Sequence, residues 1–141
     1  MHIETSVRIT AKADRIWSIL TDVTRWPEWT DSTERATRLD DGAFGVGSRV
    51  TIKQPKLREM NWTVTEFAPL QSFAWKARLP GLVMIGTHTV RKVDADSVDV
   101  TLTLDQTGVV GRALGPLTGK IARHYVEMEA EGLQKRAEAE S

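Results

Sequence analysis

His88 is the side chain in this sequence best suited to proton chemistry, because an imidazole changes charge near neutral pH. Side chains alternate along a strand, so if Val90 faces the interior then His88, Gly86 and Met84 face it too; the opposite phase would drive Arg91 into an apolar layer. An inward His88 near Tyr125 and Trp75 could bond a ligand carbonyl or phenol, or act as a general base. Equally, it could be a histidine satisfied by a neighbouring backbone or side-chain group. Tyr125 falls near the centre of the inward face of a helical segment, where its hydroxyl needs a partner from protein, water or ligand. Glu129 projects onto the same face, and an ion pair or hydrogen bond to the first strand or first helix is expected of it rather than catalysis.

Other chemistries lack their residues. With no cysteine there is no thiolate nucleophile, Cys-bearing zinc site or disulfide scaffold. The remaining histidines, His2 and His124, make no H-x-x-x-H or H-E-x-x-H spacing with His88, so no metal site is expected. "GAFGVG" (Gly42 to Gly47) has neither the G-x-G-x-x-G order nor the Lys-Ser/Thr of a phosphate loop, and a turn between strands accounts for it. No G-x-S-x-G elbow is present.

The chain has 141 residues, equal numbers of basic and acidic side chains, 40% hydrophobic and 27% charged residues. That composition fits one globular domain over 1–141. Zero net charge supplies no global field to attract nucleic acid, and neither nucleic-acid binding nor integral membrane association is expected. The best basic cluster, Lys53, Lys56 and Arg58 around Pro55, reads as a solvated loop. No run approaches the ~18 apolar residues of a membrane span, and "MHIETSVRIT" does not resemble a signal peptide, so a cytoplasmic location is expected.

The elements that must hold these side chains follow from periodicity. Ile3, Thr5, Val7 and Ile9 alternate with polar residues as a strand with one buried face. Ile16, Ile19, Leu20 and Val23 then fall at helical spacing, with Asp14 in the first turn. In "RWPEWT", Asp22 or Thr24 is expected to cap a second short helix, with Pro27 in its first turn. Trp26 and Trp29, three apart, would share a face, one sealing the core and the other lining a cavity mouth. Six strand-like segments follow, beginning with "TERATRLD" and ending with "SVDVTLTLDQ", and from Arg112 onward the period is helical. Pro116 is expected to begin that long helix or kink its first turn. Leu114, Thr118, Ile121, Ala122, Tyr125, Gly132 and Leu133 form its apolar face, and Lys120, Arg123, Glu127, Glu131 and Gln134 its wet one.

Strands on short connections make a mostly antiparallel sheet of about seven strands, and the long helix must bury its stripe against it. The fold class is therefore α+β, a curved sheet gripping a C-terminal helix. Where sheet and helix do not touch, a cavity is left, walled by Met60, Trp62, Phe73, Trp75, Val100, Leu102, Ile121, Tyr125 and Met128, with Met84 and His88 from the neighbouring strand. Each of these is also an ordinary core residue by type.

"VRITAKADRIWSILTDVTRWPEWT" resembles the N-terminal signature of the START-like superfamily, the polyketide cyclase/dehydrase and lipid-transport group also called SRPBCC. "GVGSRV", "PGLVMIGTHTV", "TLDQTGVVGRALGPLTGKI" and "EAEGLQKRA" resemble later segments of the same group. The resemblance implies the helix-grip fold. Because that group includes aromatase/cyclases, lipid carriers, binders of small aromatics and quinone-associated proteins, it leaves activity open. The expected function is binding of a polyketide-, lipid- or quinone-like molecule, without a cofactor, by Trp26, Trp29, Met60, Trp62, Phe73, Trp75, Met84, His88, Leu102, Ile121, Tyr125 and Met128. The alternatives are a cyclase or dehydratase using His88, and a pocketless interaction domain. An exposed aromatic would support a homodimer.

Overall fold

The computed structural model describes residues 1–139, apart from the side chains of 114–118. The chain runs β1 (His2–Ile9), α1 (Ala13–Thr21), a 3₁₀ helix (Val23–Glu28), β2 (Arg35–Arg38), β3 (Arg49–Lys53), β4 (Met60–Ala68), β5 (Ser72–Leu79), β6 (Leu82–Asp94), β7 (Ser97–Thr107) and α2 (Val109–Glu138). The seven strands form one antiparallel sheet in the order β1-β7-β6-β5-β4-β3-β2. Consecutive strands pair from β2 to β7, through loops over 39–48 and 54–59 and then through tight turns, and β1 completes the sheet on the far side of β7, as the α+β reading expects.

Register keeps one face apolar. Ile3 sits opposite Leu104, Val7 opposite Val100, and Val90 opposite Val100 on the other side, so a continuous apolar layer faces α2. In β4 the inward phase runs through Trp62 and Val64, then changes so that Phe67 meets Phe73, because the register with β5 shifts between Val64 and Glu66. A bulge of this kind sharpens local twist, which helps a sheet curl around a helix.

Helix α2 begins at Val109, upstream of Pro116, so the proline does not start it; the inward facing expected of Leu114 and Thr118, and the Pro116 side chain, lie outside the described residues. Downstream, Val126, Ala130, Leu133 and Ala137 are buried at helical spacing against the sheet and α1. Gln134, expected on the wet face, is half-buried and donates to the Arg8 carbonyl at 3.0 Å. Arg15 of α1 donates to the carbonyls of Ala137 at 2.8 Å and Arg136 at 3.0 Å, satisfying acceptors that the end of a helix leaves free.

"RWPEWT" differs from the sequence reading. The 3₁₀ helix follows directly on Asp22, whose carbonyl accepts from Arg25 N at 3.1 Å, and neither Asp22 nor Thr24 caps it by side chain. Pro27 lies in its last turn rather than its first, and the backbone N–H groups of Trp29 and Thr30 close on the Trp26 carbonyl just beyond it. A proline without an N–H is tolerated there because a short 3₁₀ segment has few internal bonds to lose. Trp29 then backs onto α2, where a Cβ on Gly132 would come within 2.0 Å of the Trp29 carbonyl oxygen; only glycine lets the helix pass.

Candidate functional site

Sheet and helix do not meet everywhere. A cavity of about 200 Å³ lies between them, so the interior is not the filled core that a pocketless domain would have. β4 and β5 supply Met60, Trp62 and Trp75; β6 and β7 supply Met84, His88 and Leu102; α2 supplies Ile121 and Tyr125, and the 3₁₀ helix supplies Trp26. Nine of the twelve residues singled out from sequence thus come together around one space.

Trp29, Phe73 and Met128 do not line it. Trp29 lines a surface depression beside Arg25 and Arg136, so the division expected between the two tryptophans does not occur: Trp26 alone is both buried and at the cavity, and Trp29 does not line its mouth. Phe73 is wholly buried and edge-packed against Phe44 at 5.3 Å, and Val100, also wholly buried, likewise belongs to the filled core. Met128 is half-buried one helical step away from the cavity face.

His88 sits at the inner wall. The observed phase of β6 buries Gly86, His88 and Val90 and leaves Arg91 exposed. Its ring stacks on Phe73 at 4.1 Å and 11° and meets Trp26 and Trp75 edge-on at 5.6 and 5.3 Å. Gly86 makes room for this arrangement, since a Cβ there would stand 3.0 Å from the Trp75 indole nitrogen. Nδ1 lies 3.3 Å from the Phe73 carbonyl, which can only accept, so Nδ1 carries the hydrogen and Nε2 faces the cavity side.

Nε2 stands 3.4 Å from Oε1 of Glu129. That distance suits an ion pair, yet the geometry is not that of a hydrogen bond, and among the described residues this buried oxygen has no hydrogen-bond partner. Glu129 therefore does not reach β1 or α1, as expected from sequence, but lines the cavity beside His88. The residues are set by two periods: every second position on β6 and every fourth on α2, from Tyr125 to Glu129. The arrangement offers an acceptor and an imidazole at one point in an otherwise mostly apolar space, able to orient or exchange one ligand proton.

Tyr125 is differently used. Its hydroxyl donates to the carbonyl of Pro55, tying α2 to the β3–β4 connection. Burial, and secondarily the Glu34 carboxylate, raises its pKa above the usual phenol value, so it remains a donor at neutral pH. The same connection brings Gln54, Leu57 and Arg58 to the cavity mouth. Sequence reasoning passed over these, and over Leu79 and Gln106. Leu79 already belongs to the alternation Phe73, Trp75, Ala77, Leu79 read from sequence, without having been placed at the cavity, and extending that of Leu102 and Leu104 by one position finds Gln106.

Among the described residues no three metal-ligating side chains converge, and no helix is long and apolar enough to cross a membrane. The model of a family described as polyketide cyclase / dehydrase and lipid transport matches residues 1–138. No curated protein matches the chain. Among solved structures, a START superfamily protein from Mycobacterium smegmatis has 18% identity and a TM-score of 0.80, covering 99% of each chain. The Zhui aromatase/cyclase from a Streptomyces species has 22% identity and a TM-score of 0.75, covering 98% of this chain and 93% of its own. Norcoclaurine synthase from Thalictrum flavum, in complex with dopamine and hydroxybenzaldehyde, has 16% identity and a TM-score of 0.74, covering 100% and 88%. At such identities the likeness establishes the fold alone.

Proposed function

The chain belongs to the polyketide cyclase/dehydrase and lipid transport family, and from that premise we propose that it binds a compact aromatic molecule carrying a hydroxyl. The observation that carries this is the buried Glu129 Oε1, which has no hydrogen-bond partner among the described residues, beside His88 at the wall of a mostly apolar cavity. Leaving such an oxygen unpaired costs about 1–3 kcal/mol or more, so a ligand O–H donated to it is favoured over a purely apolar guest. Size narrows the class. An apolar cavity of about 150 Å³ takes up benzene, so about 200 Å³ suits one ring or two fused rings rather than an extended polyketide or a lipid chain. Norcoclaurine synthase, which shares the fold, is in complex with dopamine and hydroxybenzaldehyde, both single-ring phenols.

Binding would rest on burial of the ring against Trp26, Trp62 and Trp75, at roughly 25 cal/mol per Å² of apolar surface removed from water, with the hydroxyl directing orientation. The test is titration with 2-naphthol and with its methyl ether, followed by tryptophan fluorescence. Glu129→Gln should weaken 2-naphthol about tenfold and leave the ether unchanged. Equal binding of phenol and ether by the wild type removes Glu129 as the polar contact, and no binding of either removes the cavity reading. Native mass spectrometry of freshly purified protein would show a co-purified aromatic directly.

The same His88–Glu129 pair favours a second reading, catalysis. His88 Nε2 would take a proton from an enolisable β-ketone segment short enough for the cavity, with Glu129 stabilising the imidazolium. Conversion of a poly-β-ketone surrogate by wild type and His88→Ala decides it; equal rates exclude His88 from the chemistry.

A further inference from the structure

The basic cluster that the sequence offers only as a solvated loop gains members in the fold. Lys53 closes β3 directly opposite Arg35 of β2, a pairing of like charges that costs stability on a bare sheet. Both line a surface depression at the end of the sheet, together with Arg78 from β5 and Arg58 from the β3–β4 connection. The nearby acids are Glu59, 3.0 Å from Arg35, and Glu34, 3.7 Å from Lys53. Among the described residues, Arg58 and Arg78 have no carboxylate within ion-pair distance.

Elsewhere on the same outer face Arg8 and Arg91 are both paired, sharing one carboxylate. Asp99 lies 2.8 Å from Arg8 and 2.7 Å from Arg91, and these contacts hold its carboxyl below the usual range. The contrast places a local excess of positive charge on a chain whose net charge is zero. Its position matters more than its size. Arg58, Met60 and Leu79 line both the depression and the cavity, so the basic rim continues into the cavity mouth.

Resting on the proposed cavity function, we infer that the ligand is an aromatic acid: its ring and hydroxyl occupy the cavity and its carboxylate or phosphate lies at the mouth on Arg58, in the field of Arg78, Arg35 and Lys53. Guanidinium groups suit such oxygens because they offer paired donors in one plane. A neutral apolar ligand would need no unpaired cations at its door, and a cationic one would be repelled there.

The probes are 6-hydroxy-2-naphthoate, which carries a hydroxyl at one end and a carboxylate at the other, and its neutral methyl ester. Both are titrated into wild type, Arg58→Gln/Arg78→Gln, and Arg91→Gln, which makes the same kind of charge change at the opposite end of β6. The double variant should weaken the carboxylate about tenfold or more and the ester less than about twofold, and Arg91→Gln should change neither. Raising salt from about 0.1 M to about 1 M should shrink the preference of the wild type for the acid over the ester. Equal binding of acid and ester by the wild type, or equal losses of both in the double variant, overturns the basic rim while leaving the cavity reading intact. If neither probe nor 2-naphthol binds the wild type, both readings fall. To ask whether the acid group itself is recognised, the same titration uses inorganic phosphate as competitor. Relief of acid binding without effect on the ester supports recognition of the acid group itself, whereas an acid bound no better than its ester at any phosphate concentration overturns it.

Discussion

The two halves of the grip are built from the same kinds of side chain and end differently. At the α1 end, Phe73 meets Phe44 at 5.3 Å, and Trp17 packs between Phe67 at 5.5 Å and Phe73 at 6.2 Å; with Leu20, Val98 and Leu133 they leave no opening onto the cavity. At the opposite end, Trp75 likewise lies 5.3 Å from Trp26 and 5.7 Å from Trp62, yet the three form a wall with space on one side. Aromatic content does not decide which half is hollow. What does is the backing: the closed half receives α1 and the last turns of α2 as a second layer, whereas the other receives Trp26 of the 3₁₀ helix and one face of α2, held off at Tyr125 by its bond to the β3–β4 connection.

If that contrast is right, equal truncations should have unequal costs. Phe73→Ala should lower unfolding free energy by about 3–5 kcal/mol, because the surrounding layers cannot collapse into the space. Met84→Ala, which removes atoms from a wall already facing a cavity, should cost less than about 1.5 kcal/mol and should admit a larger guest. Chemical denaturation of both variants checks this. Comparable losses would mean that the hollow half is packed as tightly as the closed one.

A gentler test addresses the hold-off itself. Tyr125→Phe removes one hydrogen bond and no bulk, so stability should fall by about 0.5–1.5 kcal/mol. Freed from α2, the connection bearing Leu57 and Arg58 should open more often, and 2-naphthol should both enter and leave faster with a smaller change in affinity. Stopped-flow fluorescence reads this. Unchanged rates would show that the Tyr125–Pro55 bond does not restrain the mouth.

Much of this arrangement is written in local pattern. The alternation in β1, β5 and β7 and the helical period of α2 fixed element type and inward face; for β6 the cost of burying Arg91 argued for the phase that brings His88 inside without deciding it, and the structure adopts that phase. What stayed hidden depends on distance through space. Phe73 and Trp75 share a face of one strand, but only the position of α1 decides that the first is sealed and the second lines a void. Glu129 was legible as inward, yet its partner was not, because His88 lies 41 residues away and no period links a strand to a helix. Pro27 was misplaced because a 3₁₀ turn can follow a helix without a side-chain cap, leaving no boundary signal in the sequence.

The smallest expected effect is also the sharpest comparison, because it uses one substitution in both halves. At Gly132 a Cβ would meet the Trp29 carbonyl at 2.0 Å, and backbone on both sides cannot yield, so Gly132→Ala should force α2 away from the 3₁₀ helix and destabilise the closed half by several times RT. At Gly86 the nearest atoms are Nε1 and Cδ1 of Trp75, at 3.0 and 3.2 Å, and the indole has the cavity beside it into which to move. Gly86→Ala also restricts the unfolded chain, a gain of about 0.4–1 kcal/mol where the native backbone accepts alanine. The two terms should nearly cancel, leaving stability within about 0.5 kcal/mol of wild type. Affinity should not be spared: the displaced indole takes up cavity space, and 2-naphthol should bind a few-fold more weakly. Loss of stability at Gly86 on the scale seen at Gly132 would mean that Trp75 has no room to move, and that the wall of the cavity is as rigid as the sealed core.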